Sequence, residues 1–171
     1  MSGHRVDAFR FTGRLIKKII LEAIESTTPP TSIPWAVPAK PLVESRVALL
    51  TTAGISMRGD PPFDMETERN NPTWGDPSWR KIRFDATHND IVANHLHIDT
   101  TYIENDINVA LPLLPLRDLI TMGVVGSSAP NHYSIMGFQG VDSRTLENVS
   151  APEIAQAMQN DEVDLAILAP V

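Results

Sequence analysis

Ser150-Ala151-Pro152-Glu153-Ile154-Ala155-Gln156-Ala157-Met158 and, four residues on, Val163-Asp164-Leu165-Ala166-Ile167-Leu168-Ala169 decide the fold class of this 171-residue chain. The first stretch predicts a helix opened by a capping box, Ser150 accepting from the backbone and Glu153 reaching back. The second is apolar without alternation, as a buried strand is. Arg46-Val47-Ala48-Leu49-Leu50-Thr51-Thr52 predicts a second such strand, closed by the turn signal Ala53-Gly54. Pro115 to Met122 predicts a further helix, with Pro115 in its first turn and Gly123 as its stop, and Val124-Val125 begin another short strand. Strands and helices in this order predict an α/β, Rossmann-like three-layer parallel sheet. The carboxyl ends of such strands open into the crevice where ligands bind. The last strand runs into Val171, the final residue, so the sequence predicts a fold incomplete at its C-terminus.

Outward from that core, Phe11, Leu15, Ile19 and Ala23, with Ile16, Ile20 and Ile24, recur every four residues and predict an amphipathic N-terminal helix within residues 1–28. Residues 29–45 carry prolines 29, 30, 34, 38 and 41 and predict an extended strap, with Trp35 as its anchor. Residues 46–171 form the α/β part. Within it, residues 56–79 hold four prolines and predict a long functional or mobile loop. Arg80-Lys81-Ile82-Arg83-Phe84-Asp85 alternates polar and apolar, as an edge strand does.

Apolar residues at 42% and charged residues at 20% describe an ordinary globular chain. The net charge of -7 argues against nucleic acid. No apolar run is long enough for a membrane span, and Arg14 to Leu21 lacks the features of a secretory signal, so a cytoplasmic protein is expected. The chain has no cysteine. Disulfides, Cys-ligated metals and a cysteine nucleophile are therefore excluded within these residues.

His95-Leu96-His97-Ile98-Asp99 is the strongest local constellation. In an extended segment its three polar residues share a face. They could bind zinc or non-haem iron, with Asp106 and Asn108 closing the site, bind a polar substrate, or pair with each other. Asn131-His132-Tyr133-Ser134 is the second cluster: His132 and Tyr133 suit proton transfer or substrate orientation, or a surface turn with Tyr133 on the core. Gly126-Ser127-Ser128 has the look of a small anion-binding turn without any nucleotide-loop spacing. Trp74 and Trp79 either cover a pocket or pack.

Many short motifs occur in one order: Ile33-Pro34-Trp35, Lys40-Pro41-Leu42, Glu44 to Leu49, Thr51-Thr52-Ala53-Gly54, Pro61-Pro62-Phe63-Asp64-Met65, Gly75-Asp76-Pro77-Ser78-Trp79-Arg80, His95 to Asp99, Asp106-Ile107-Asn108-Val109, Gly123-Val124-Val125-Gly126 and His132-Tyr133-Ser134. In this order the chain resembles the glycine/betaine/sarcosine/D-proline reductase family of selenoprotein B type, nearest its short D-proline-reductase-like branch. Ser56 departs from the pattern, standing where several relatives have His. The resemblance implies an oxidoreductase in which a selenolate or thiolate attacks a substrate carbon and a C–N bond is cleaved reductively. It implies an amine or amino-acid substrate, other reductase-complex subunits as partners, and a pyruvoyl group on one of them. It also implies a selenocysteine or cysteine directly after the strand that ends at Val171. A UGA codon read as stop would explain that end, and the chain alone would be inactive. No cofactor is expected within residues 1–171. His95, His97, Asp99, His132 and Tyr133 are the expected pocket wall, orienting substrate and delivering protons. A metal-dependent hydrolase on His95, His97 and Asp99, and a non-catalytic binding subunit, are the alternatives.

Overall fold

The computed structural model describes residues 13–26 and 36–171. The chain divides into two units, residues 1–37 and 38–171. In the first, helix α1 (Arg14–Ser26) forms where the four-residue apolar spacing places it. Lys18 and Glu22 pair across one turn of it at 3.6 Å, an exposed contact of small energetic weight. Phe11, three of the strap prolines and Trp35 lie outside the described residues.

The second unit is a mixed α/β structure. Its strands are β1 (Arg46–Thr51), β2 (Ile55–Met57), β3 (Trp79–Arg83), β4 (Ile91–Ala93), β5 (Ser127–Ser128), β6 (Asn131–Ile135) and β7 (Leu165–Ala169). Its helices are α2 (Met65–Asn70), α3 (Thr101–Asn105), α4 (Leu113–Thr121) and α5 (Ala151–Asn160). β1 is the central strand of a mostly parallel sheet. One edge of β1 pairs with β7, from Val47 opposite Leu165 to Thr51 opposite Ala169. The other pairs first with β5 and then with β6, both parallel. β3 lies beyond β6 and is antiparallel to it, which makes it an edge strand as its alternation predicts. β2 and β4 form a separate antiparallel pair.

The side chains of β1 alternate between two cores. Val47 and Leu49 face a cluster with Ile55, Ile82, Ile103, Leu111, Leu113 and Leu116. Ala48 and Leu50 face the other way, toward Tyr133, Ile154 and Met158. The first cluster brings in α3 and α4, the second α5. Each fully buried Leu or Ile contributes roughly 1.5–3 kcal/mol.

Between β5 and β6 the chain turns at Ala129-Pro130, and the ladder to β1 is interrupted. The Leu49 N–H faces that gap and donates instead to Nδ1 of His132 at 3.0 Å. Since Nδ1 accepts, the ring proton is on Nε2, and Nε2 donates to Ser128 Oγ at 3.2 Å. Ser128 Oγ in turn donates to the Ala129 carbonyl. A buried imidazole thus takes the place of a backbone acceptor.

The structure corrects several expectations. Residues 56–79 are not one long loop, because they include the end of β2 and all of α2. The signal for α2 is local: Asp64 caps it, accepting the Thr67 N–H at 2.8 Å, with Glu66 and Glu68 in its first turn. Val124 and Val125 are turn residues and the strand starts at Ser127, since Gly123 at φ 70° spends two further residues completing the helix stop. The capping box at Ser150 does not form. Five residues of π-helix, Leu146–Ser150, run directly into α5, so Ser150 is helical. Its hydroxyl donates to the Pro77 carbonyl at 2.6 Å, and Glu153 accepts from the Trp79 indole N–H at 2.9 Å. Both would-be capping side chains tie α5 to β3 and the residues before it. β7 is not buried on both faces: Ile167 is 41% and Leu168 68% exposed.

His132 generates a stability prediction. Burial, and then the neighbouring Arg117 charge, pull its pKa from 6.5 down to about 4. Between those values an unfolded chain binds a proton that the folded one refuses. Stability therefore falls as pH drops through that window, by roughly 3 kcal/mol. Urea unfolding followed from neutral pH down to about 4 reads the slope. His132→Leu should flatten this contribution and cost about 1–3 kcal/mol at neutral pH by orphaning the Leu49 N–H.

Candidate functional site

The carboxyl ends of β1, β6 and β7 form one rim. Gly54, at φ 62°, turns the chain after β1; a side chain there would collide with Met136 and the Asn94 carbonyl. Ala53 bridges to Met136, the Gly137 N–H donates to the Thr52 carbonyl at 2.9 Å, and the Val171 N–H donates to Thr52 Oγ1 at 2.9 Å. Next along the chain, the Phe138 ring packs against that of His97 with centroids 4.5 Å apart, tilted by 52°. The side chain of Ser56, the departure from the family pattern, donates to Asn94 Oδ1 at 3.2 Å behind this turn.

His95 and His97 do come together here, but not on an extended face. β4 ends at Ala93 and residues 96–98 bend. The His97 backbone N–H folds back to donate to His95 Nδ1 at 3.0 Å, and the two rings meet edge-on at 5.7 Å. Burial, and second the His97 charge, lower the His95 pKa, so His95 is a neutral acceptor at neutral pH. Asp99 points elsewhere: its carboxylate accepts the Thr101 N–H at 3.0 Å at the start of α3, and hydrogen bonding from the Thr101 side chain and then from that N–H lowers its pKa.

His132 and Tyr133 occupy neither side of this pair. His132 is fully buried in the ladder gap, against Phe84. Tyr133 lies on the opposite sheet face. It packs on Trp79 at 5.8 Å and donates to Asp161 Oδ2 at 3.3 Å. Burial, then Asp161, push its pKa up to about 12. Trp79 is thus a packing residue. The Gly126-Ser127-Ser128 turn is at the amino end of β1, and the N–H groups of Gly126 and Ser127 are used by Leu42 and Ser45 carbonyls. They are not free for an anion.

The residue that sequence reading missed is Glu68 on α2. It is 3% exposed, yet its Oε1 meets His97 Nε2 at 2.6 Å. Its Oε2 is buried with no hydrogen-bond partner among the described residues. Nothing in Met65-Glu66-Thr67-Glu68 singles out one acidic residue, because the partner is 29 residues away. α2 is held firmly. The Asp76 carboxylate accepts the Asp64 N–H at 2.8 Å and the Ser78 N–H at 2.8 Å. The Arg80 guanidinium donates to the carbonyls of Pro61 and Pro62 and lies 4.4 Å above the Phe63 ring.

Metal binding by His95, His97 and Asp99 is not supported by this geometry. One His nitrogen accepts a backbone N–H, one is paired with Glu68, and the Asp99 carboxylate is bonded to the Thr101 N–H. Among the described residues no group of three or more His, Asp or Glu side chains converges as metal ligands. Asp106 and Asn108 bond to each other at 2.7 Å, and Asn108 Oδ1 accepts the Leu114 N–H. Surface hollows of about 420 Å³ beside Arg58, Lys81, Arg83 and Asp90, and about 400 Å³ beside Lys40, Arg46 and Asp164, are lined by other residues than the His pair.

The glycine/sarcosine/betaine reductase selenoprotein B family model matches residues 7–171. The chain belongs to that family. The D-proline reductase subunit gamma of Acetoanaerobium sticklandii is 32% identical over 154 residues, covering 90% of this chain and 59% of that protein. The glycine reductase complex component B subunit gamma of Symbiobacterium thermophilum is 27% identical over 178 residues, covering 97% of this chain and 40% of that protein. The chain thus spans roughly half the length of these curated relatives of the selenoprotein B family. No solved structure matches it. Among the described residues no helix is long and apolar enough to cross a membrane.

The donor geometry predicts that equimolar zinc or ferrous iron does not bind stoichiometrically to this selenoprotein B family chain. Metal analysis after gel filtration checks it, and His97→Ala should leave the metal content unchanged.

Proposed function

We propose that residues 46–171 are the N-terminal portion of a Rossmann-like reductase domain that cleaves a C–N bond of an amine or amino acid reductively. The observation that carries this reading is the rim at which Thr52, Gly137, Phe138, His97 and Val171 are brought together in a chain of the selenoprotein B family. The names of the two relatives, subunits of D-proline and glycine reductases, support a place in a complex with further subunits; this reading further takes the complex to be cytoplasmic and one partner to bear a pyruvoyl group.

The full-length protein in this reading carries a selenocysteine or cysteine directly after Val171. The selenolate would supply the nucleophile, being anionic at neutral pH where a thiol is largely protonated. The residues present suit such a group. A charge arriving there would meet the half-exposed imidazole of His97 and the ring of Phe138 beside it. His97 has the position to protonate the departing amine, and His95 holds the backbone of His97 in place. Asp99, His132 and Tyr133 act at a distance, by fixing α3, the β1 ladder and α5 respectively.

Residues 1–171 alone should show no dithiol-dependent reduction of D-proline, glycine, betaine or sarcosine, while the frame extended through the codons after Val171, made with selenocysteine insertion and supplied with its partner subunits, should reduce one of this amine class. Turnover by residues 1–171 alone would sink the proposal. So would nucleotides after the Val171 codon that encode neither selenocysteine nor cysteine.

A further inference from the structure

Glu68 is a buried carboxylate that the reading above leaves without a task. Its side chain is 2% exposed while that of His97 is 49% exposed, so the pair runs from the interior to the surface of the rim. Desolvating a carboxylate is costly unless its oxygens are satisfied. Here one oxygen has His97 Nε2 at 2.6 Å and the other has no partner among the described residues. No hydrogen bond among the described residues uses His97 Nδ1. Hence one nitrogen of His97 meets the buried Glu68 side chain, and the other is unused on a half-exposed ring beside Phe138.

We propose that Glu68 and His97 form a carboxylate–imidazole pair, in which Glu68 is the positioning residue and His97 Nδ1 gives the proton to the departing amine; the second half rests on the reductase reading above. A carboxylate accepting Nε2–H fixes the imidazole tautomer and stabilises the imidazolium that precedes proton transfer, the role a buried acid plays in other catalytic dyads. The step moves one proton. The Nδ1–H bond breaks and an N–H bond forms on the amine as its C–N bond breaks. In the same step the selenolate of the proposed function forms a bond to the substrate carbon. An external dithiol then attacks selenium, and the carbon leaves with the C–Se electron pair and takes a proton from water. The second thiol of the dithiol frees the selenolate as a disulfide forms, so the two electrons come from the dithiol. His97 is left neutral, with Nε2–H still donated to Glu68, and regains its Nδ1 proton from water. The short bond from Nε2 to Glu68 is what orients the ring.

Two measurements separate the pair from the reductase reading. Long-range nitrogen–proton NMR of the 171-residue chain should show neutral His97 wholly as the Nε2–H tautomer, and Glu68→Gln should return it to a mixture. Mixed tautomers in the unsubstituted chain, or a spectrum that Glu68→Gln leaves unchanged, overturn the pair. In the full-length protein with its redox residue and partners, Glu68→Gln and His97→Gln should each lower kcat by roughly 10²-fold or more with little change in KM. Because the two act as one unit, the double variant should lose no more than the larger single loss. Full activity of either variant, or multiplicative losses, overturns the role. The His97 side chain is half exposed, so His97→Gln remains informative if Glu68→Gln fails to fold. An unsubstituted full-length protein that reduces no amine overturns the reductase reading and the proton-donor role, and the tautomer result then judges the pair alone.

Discussion

The hydrogen bond from the Leu49 N–H to His132 Nδ1 is the constraint on which the sheet depends. β1 is bonded along both edges, yet the neighbouring edge is broken at Ala129-Pro130. An unpaired N–H at the centre of a sheet would cost about 1–3 kcal/mol. His132 closes that gap from within β6 and hands its own proton to Ser128 in β5. The two short strands thereby behave as one, and β6 is placed so that Ile135 accepts the Gly54 N–H and Met136 meets Ala53. The rim follows from that register: Gly137 on Thr52, then Phe138 on His97.

Much of the scaffold was legible in sequence. Apolar runs at Val47–Leu50 and Leu165–Ala169, a helix stop at Gly123 and alternation at Arg80–Asp85 each report a local physical need. What failed depended on distant partners. Ser150 and Glu153 spell a capping box, but their side chains have stronger engagements with Pro77 and Trp79, so the helix extends through them. His95 to Asp99 alternates as a strand would, but the bond from the His97 N–H to His95 bends it. His132 and Tyr133, adjacent in sequence, point to opposite faces of one strand. The paired acid Glu68 was hidden because nothing local distinguishes it from Glu66.

The motifs by which the family resemblance was recognised acquire physical meaning in the structure. Asp64 caps α2, Asp76 holds Asp64, and Arg80 clamps the carbonyls of Pro61 and Pro62 while covering Phe63. Each of these residues acts on the short helix that carries Glu68. A sequence signature spread over Pro61–Arg80 thus serves one outcome: a buried carboxylate held beneath an exposed imidazole.

The central claim is that residue 171 and the Glu68–His97 pair share one rim, at the carboxyl end of β1. The chain contains no cysteine, so Val171→Cys offers a unique attachment point for a nitroxide label. Paramagnetic broadening of backbone amide signals should be strongest at Thr52, Gly137, Phe138 and His97, and distinctly weaker at Arg46 and Ser127 at the far end of the strand. Broadening that spares Gly137, Phe138 and His97, or that centres on Arg46 and Ser127, would contradict the account.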